Sequence, residues 1–93
     1  LFIKNEYTGI LDNVEKIDSI IDKFSIGWSV DRLSTVDKAI LRIAVYEIMF
    51  DDDIPNKVSV NEAVELAKEF SEDKAPSFIN GVLGKVVRYK EAN

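Results

Sequence analysis

The stretch that decides the fold reads VDKAILRIAVYE at residues 36–47, IPNKVSVNEAVELAKEF at 54–70 and SFINGVL at 77–83. Within each block apolar residues recur at intervals of three and four, the period of one face of an α-helix. Acidic or proline-bearing turns separate the blocks, and nowhere does the chain show the alternation of a β-strand. The 93 residues are therefore predicted to form one all-α domain, a compact helical bundle of about four helices.

The central helix is predicted at about residues 34–50. The Ser34 hydroxyl can accept a hydrogen bond from the backbone N–H of Asp37, whose carboxylate would lie at the positive end of the helix dipole. From Val36 to Phe50 apolar residues cover nearly the whole circumference, which indicates a helix surrounded by others. Pro55 ends this segment, since proline disfavours helical geometry at the residue before it.

The residues before the central helix favour one long amphipathic helix. Apolar side chains spaced by three and four run from Ile3 to Phe24, with charged residues largely opposite them. Gly27 follows and can leave the helix at a positive φ. Trp28 is expected to pack as a lid over the core, and base stacking is the alternative for this ring.

Local capping signals predict the two remaining helices. Ser59 and Glu62 have the spacing of a capping box, in which each side chain accepts a hydrogen bond from the backbone N–H of the other residue. Pro76 suits the first turn of the last helix. Gly81 and Gly84 lie on another side of that helix from its apolar stripe, and we expect them to let a neighbouring backbone approach closely.

Composition excludes several classes of protein. The chain has no cysteine and no histidine, which removes disulfides, thiol chemistry, the commonest general base and the commonest metal ligand. No apolar run approaches the ~20 residues that a membrane span requires. We therefore expect a cytoplasmic protein that does not enter a membrane. The chain opens at Leu1 rather than Met, so we expect a fragment or a processed chain.

Charge is distributed unevenly. Residues 1–53 contain 6 Lys/Arg and 11 Asp/Glu, a net of −5, whereas residues 54–93 contain 6 of each. One interpretation is that these surface charges only keep the protein soluble. The more specific interpretation is that the acidic half binds a basic protein partner. It also assigns a phosphate-facing patch to five of the six cations of the second half, which are Lys68, Lys74, Lys85, Arg88 and Lys90.

The carboxylates do not form a catalytic constellation. Glu47 lies two helical turns after Ile40 on an apolar face, so we expect a part-buried acid that ties helices together. Its candidate partners are a helix N-terminus or one of Arg42, Asn61 and Asn80. The acidic run at residues 51–53 lacks the spacing of a calcium-binding loop. We predict no enzyme activity, no metal and no cofactor.

The start of the last helix gathers side chains that suit RNA. Lys74 supplies a cation, Ser77 a hydroxyl, Phe78 an aromatic ring and Asn80 an amide. A helix N-terminus presents free N–H groups to anions, and single-stranded RNA is held by phosphate contacts and by bases stacked on aromatic rings. Two alternatives stay open here, since Phe78 can belong to the core and Asn80 can hydrogen-bond a neighbouring helix.

Taken in order, the three blocks resemble the second half of the bacterial antitermination factor family NusB. The resemblance is close from Asp31 to Lys85, and before Asp31 only the amphipathic pattern agrees. It implies an all-helical fold of two packed bundles and a non-enzymatic role in transcription antitermination. It also implies three partners, namely boxA-type single-stranded RNA, the small-subunit ribosomal protein that also serves as NusE, and the antitermination complex of RNA polymerase.

The resemblance further implies where these partners bind. The RNA-contacting surface would lie around Lys74, Ser77 and Phe78. Asp31 and Asp37, which open the central helix, would lie near the ribosomal-protein interface. Structural roles are implied for four positions that match the family pattern, Asn61, Glu62, Asn80 and Gly81. Family members begin with an arginine-rich segment that has no counterpart here, so we expect the chain to lack the family's N-terminal helices.

Two other functions stay open. A NusB-like domain also precedes the enzyme in a family of rRNA cytosine methyltransferases, where it assists the catalytic part. Alternatively, the chain is a structural helical module that self-associates. The apolar face of residues 1–24 would be exposed without the N-terminal helices, and a homodimer would cover it.

Overall fold

A computed structural model describes residues 2–27 and 32–92, with side chains from Tyr7 onward. These residues form five α-helices and no strand, which confirms the predicted all-α class. Gly27 adopts the positive φ that was predicted, at 86°. Trp28 lies outside the described residues. The helices are α1 (Phe2–Asp12), α2 (Val14–Phe24), α3 (Thr35–Phe50), α4 (Asn56–Phe70) and α5 (Ala75–Ala92).

The central helix is α3, which packs against each of the other four helices. Its predicted start is confirmed, since the backbone N–H of Asp37 donates to the Ser34 hydroxyl at 3.1 Å. At the other end the Asp51 backbone N–H still bonds the Glu47 carbonyl at 3.1 Å. The Asp53 backbone N–H then bonds the Asp51 carboxylate at 3.0 Å, and this short turn leads the chain away from α3.

The long helix predicted over residues 3–24 is two helices, because the run breaks at Asn13. The Asn13 side-chain amide donates to the Gly9 carbonyl at 2.8 Å. Its backbone N–H is shared between the carbonyls of Gly9 and Ile10, at 3.2 and 3.1 Å. An asparagine that bonds a carbonyl one turn back offers the chain an alternative to helix. The second helix then buries Ile17, Ile20 and Ile21 in the core.

The predicted capping box at Ser59 is wrong, because α4 begins one turn earlier. Pro55 stands at its N-cap with φ at −58°, and its carbonyl accepts from the backbone N–H groups of Val58 and Ser59, at 2.9 and 3.3 Å. Ser59 is thereby placed inside the helix, where it is only 1% exposed. Glu62 is exposed. Burial of this face against the bundle, rather than the local cap, decides where the helix begins.

The last helix, α5, carries Pro76 in its first turn as predicted. Its buried side consists of Ala75, Ile79, Val82, Leu83 and Val86. The close backbone approach expected at its glycines is absent from the described residues. A Cβ added to Gly81 would meet no described atom within 4 Å, and one added to Gly84 would meet only Arg88 Nη1, at 3.7 Å. Gly81 therefore faces open space, and Gly84 lies beside the Arg88 side chain rather than a neighbouring backbone.

Two polar contacts fix the directions of the last three helices. The Ser71 hydroxyl, just after α4, donates to the Asp37 carboxylate at the start of α3, at 2.5 Å. Lys90, near the end of α5, pairs with Asp52, just after α3, at 3.3 Å. Thus α4 runs antiparallel to α3, α5 runs parallel to it, and the first turns of α3 and α5 lie at the same end of the bundle. Within residues 2–27 and 32–92, no helix combines the length and apolar character needed to cross a membrane.

Candidate nucleic-acid interface

The first turns of α3 and α5 open onto a common groove of about 410 Å³. We call it the N-terminal groove. Three predicted site residues, Asp37, Lys74 and Phe78, lie in its wall although up to 41 positions separate them in the sequence. The other lining residues are Arg32, Leu33, Ser34, Glu72 and Ala75. The fold thus brings together side chains that were predicted to serve two different partners.

The parallel course of α3 and α5 decides the electrostatics of the groove. Each helix begins there, so two sets of unpaired backbone N–H groups and two positive dipole ends point to the same end of the bundle. The side chains contribute two cations, Arg32 and Lys74, and two acids, Asp37 and Glu72. Among the described residues Lys74 has no carboxylate within 4.0 Å, so it can approach an external phosphate.

Phe78 lines the groove and also packs against the hydrophobic core. It is half-buried, so both alternatives considered for it, core residue and stacking platform, describe part of its environment. The packing restrains the ring, and the groove leaves part of it accessible. Such a ring can receive a base without a rearrangement of the helix.

Ser77 and Asn80 are exposed on α5 but do not line the groove. Two residues along a helix amount to a rotation of about 200°, so Asn80 projects from nearly the opposite side of α5 to Phe78. Its exposure argues against the alternative of a hydrogen bond between helices. Both residues stay predicted RNA contacts, at a different angle from Lys74 and Phe78.

Asp37 has a structural task in addition to its predicted role at a protein interface. Its carboxylate accepts from the Ser71 hydroxyl, and its backbone N–H donates to the Ser34 hydroxyl. The side chain is half-buried, with part of its surface open to the groove. Asp31, the other residue predicted at the protein interface, lies outside the described residues.

The acidic side chains of the described residues lie apart from one another or in structural contacts. Glu47, which was expected to be part-buried, is buried, with 6% of its surface exposed. No group of three or more Asp, Glu, His or Cys side chains in residues 2–27 and 32–92 is arranged to hold a metal ion. In the acidic turn after α3, the Asp52 carboxylate forms an ion pair with Lys90.

Sequence reasoning missed two features of the molecule. Arg32 and Glu72 enter the groove from turns, and only the order of the helices places them there. The second feature is an aromatic pair, Phe24 and Tyr89, with ring centroids 5.4 Å apart and the Lys23 ammonium 4.4 Å from the Tyr89 ring. Neither has a local sequence signal, because each joins residues distant in the chain.

Comparison with known proteins gives consistent results. The model of the NusB family matches residues 1–88. Transcription antitermination protein NusB of Acetivibrio thermocellus is 54% identical over 89 residues, which are 96% of this chain and 61% of that protein. The corresponding protein of Natranaerobius thermophilus is 62% identical over 74 residues, 80% of this chain and 53% of the relative. The chain therefore spans between half and two-thirds of the length of these curated relatives.

A solved structure shows the same arrangement of helices. T. maritima NusB superposes with a TM-score of 0.87 at 38% sequence identity. The superposition covers 90% of this chain and 59% of that one. At this identity the likeness extends to the sequence as well as to the fold.

Proposed function

Because this chain belongs to the NusB family, we propose that it acts as a non-catalytic adaptor in bacterial transcription antitermination, in the cytoplasm. In this role residues 1–93 form one NusB-like unit that binds boxA-type single-stranded RNA. The unit also binds the small-subunit ribosomal protein that serves as NusE, within the antitermination complex of RNA polymerase. The name of the relatives, transcription antitermination protein, supports this assignment.

The N-terminal groove is the observation that carries the RNA-binding part of the proposal. A base can stack on the accessible part of Phe78 while Lys74 and the two helix N-termini attract the adjoining phosphates. Ser77 and Asn80 extend the contact around the first turns of α5. The chain as a whole has a net charge of −5, so affinity has to come from this local arrangement.

The protein-partner part of the proposal uses the adjoining surface of α3. Val36 and Ile43 lie on one side of the helix, two turns apart, and each is 39% exposed. Asp37 and Asp31 would add negative charge for a basic ribosomal protein, which favours encounter and orientation. Because Asp37 also lines the groove, RNA and protein would bind next to each other.

Fluorescence anisotropy tests the proposal directly. A labelled boxA-type RNA and its scrambled control are titrated with the chain in the presence of the small-subunit ribosomal protein. We expect tighter binding of the boxA-type RNA, and we expect Phe78→Ala to weaken it by fivefold or more, since base stacking contributes about 1–3 kcal/mol.

Phe70→Ala is the matched control, because Phe70 is a 60% exposed aromatic residue that does not line the groove. It should leave RNA affinity unchanged, and far-UV circular dichroism should show both variants folded. Equal affinity for the boxA-type and scrambled RNAs would refute the proposal. A loss of helix content in Phe78→Ala would instead assign that residue to the core.

Self-association is a second candidate function, favoured by one observation. Tyr7 and Leu11 lie one turn apart on α1 and are 65% and 55% exposed. A homodimer through this face would cover them. Light scattering should then report a dimer that Leu11→Glu dissociates, and a monomer at all concentrations would exclude this candidate.

A further inference from the structure

The five cations predicted as one phosphate-facing patch divide into two groups. Lys68 pairs with Glu65 at 3.0 Å, and Lys90 pairs with Asp52 at 3.3 Å. The remaining three, Lys74, Lys85 and Arg88, have no carboxylate within 4.0 Å in the described part of the chain. These three belong to α5 or to the turn that leads into it, so α5 carries cations available to an external anion.

Those cations share a side of α5 with Phe78. Residues seven and eleven positions apart return to nearly the same angle on a helix of 3.6 residues per turn, so Phe78, Lys85 and Tyr89 form a stripe. Arg88 and Gly81 border the stripe on one side. Glu91, the acid of α5, projects about 160° away from Tyr89. The stripe starts at the N-terminal groove and extends about 16 Å along α5, at about 1.5 Å per residue.

A positioned cation lies at the far end of this stripe. The Lys23 ammonium lies 4.4 Å from the Tyr89 ring centroid and 5.6 Å from that of Phe24, within the range of cation–π attraction. The two rings pack against each other at 5.4 Å, which joins the end of α2 to α5. Lys23 is exposed, so the aromatic pair restrains it without removing it from solvent.

Between the groove and this cation, α5 has an exposed position at Gly81. A Cβ at Gly81 would meet no described atom within 4 Å. Glycine in a helix interior destabilises it relative to alanine, and at Gly81 no packing contact of the described residues requires glycine. The backbone of α5 is thus accessible where a strand leaving Phe78 would pass.

We infer that the RNA strand continues from the N-terminal groove along α5, with its phosphates on Lys85, Arg88 and Lys23. This surface, the α5 track, consists of Gly81, Lys85, Arg88 and Tyr89 together with Lys23 of α2. The inference rests on the proposed function and lengthens its site. The track recognises phosphate and sugar rather than base, since it presents cations and open backbone. It therefore adds affinity without sequence preference.

Two RNAs of different length test the α5 track. One is the boxA-type core, and the other carries the same core with unstructured uridines added at both ends. The double variant Lys85→Gln/Arg88→Gln is compared with Lys90→Gln, which removes a cation that Asp52 already pairs. Anisotropy titrations with the ribosomal protein present are repeated over a range of salt concentrations.

The double variant should bind the extended RNA at least fivefold more weakly and the core RNA within twofold of the wild type. Its salt slope for the extended RNA should fall by about 1.4, because each phosphate contact on a single strand contributes about 0.7. Gly81→Leu is an independent variant that should keep the fold. Its side chain should weaken binding of the extended RNA, because it covers the backbone of α5 along the proposed path of the strand. Lys90→Gln should leave the affinity for both RNAs unchanged.

Two failures are distinguishable. In the first case the wild type prefers boxA-type RNA, but the double variant binds both RNA lengths as tightly as the wild type, or binds both more weakly by the same factor. The α5 track is then wrong and the proposed function stands. If the wild type does not distinguish boxA-type from scrambled RNA at either length, the proposed function fails and the track fails with it.

Discussion

Arg42 of α3 donates two hydrogen bonds to the Asp18 carboxylate of α2, from Nε at 2.8 Å and from Nη2 at 2.7 Å. Two parallel N–H···O bonds fix both side chains in one geometry. The residues are 24 positions apart, so the pair joins two helices that no cap or turn signal connects. Both side chains are mostly covered, with 31% and 23% exposure, which limits screening by salt.

This pair should contribute measurably to stability. A double-mutant cycle with Asp18→Asn and Arg42→Gln in urea denaturation should give a coupling free energy of about 1 kcal/mol, discounted for the remaining exposure. The exposed Glu65–Lys68 pair is the matched control and should couple by less than about 0.5 kcal/mol. A coupling free energy near zero for Asp18 and Arg42 would show that the two hydrogen bonds stabilise the folded state no more than hydrogen bonds to water stabilise the unfolded state.

The same substitution at two glycines should have opposite effects. A Cβ at Gly9 would lie 2.5 Å from Tyr46 Cζ, so Gly9→Ala forces the ring of Tyr46 to move and should destabilise the fold by about 1–2 kcal/mol. Gly81→Ala meets open space and should stabilise the fold by up to about 1 kcal/mol. Thermal denaturation of both variants decides this, and a loss of stability in Gly81→Ala would contradict the open face of α5.

Two serines provide a second opposed pair. Ser34→Ala removes the cap of α3 and should lower the free energy of unfolding by about 1 kcal/mol. The Ser59 hydroxyl is buried and has no hydrogen-bond partner among the described residues, so Ser59→Ala should be neutral or stabilising. Chemical denaturation measures both. If Ser59→Ala were the more harmful change, the Ser59 hydroxyl would have to make a hydrogen bond that offsets its burial.

Asp37 is expected to act in both stability and partner binding. Asp37→Lys should weaken binding of the ribosomal protein by roughly tenfold, since a like charge then faces a basic partner. Ser71→Ala removes the same hydrogen bond but leaves the charge of Asp37, so it should lower stability with little effect on the partner. Isothermal titration calorimetry with both variants separates the roles. Partner affinity that both variants leave intact would remove Asp37 from the interface.

Local signals in the sequence were sufficient for several elements. Ser34 caps α3, Pro76 lies in the first turn of α5 and Gly27 adopts a positive φ, all as predicted. Each of these depends on residues within about one helical turn. Where a local signal competed with packing it failed, since Ser59 has the spacing of a capping box and lies buried inside α4. Asn13 shows the converse, because one side-chain bond interrupts a continuous apolar period.

The sequence by itself determined the all-α class, the central position of α3 and the family, because periodicity, caps and block order are properties of consecutive residues. Only the tertiary structure decided which side chains meet. The parallel course of α3 and α5 places Asp37, Lys74 and Phe78 in one groove, and ion pairing withdraws Lys68 and Lys90 from the predicted patch. Such contacts depend on distances between residues far apart in the chain. Those distances are set by the burial of apolar faces against one another, which no local pattern encodes.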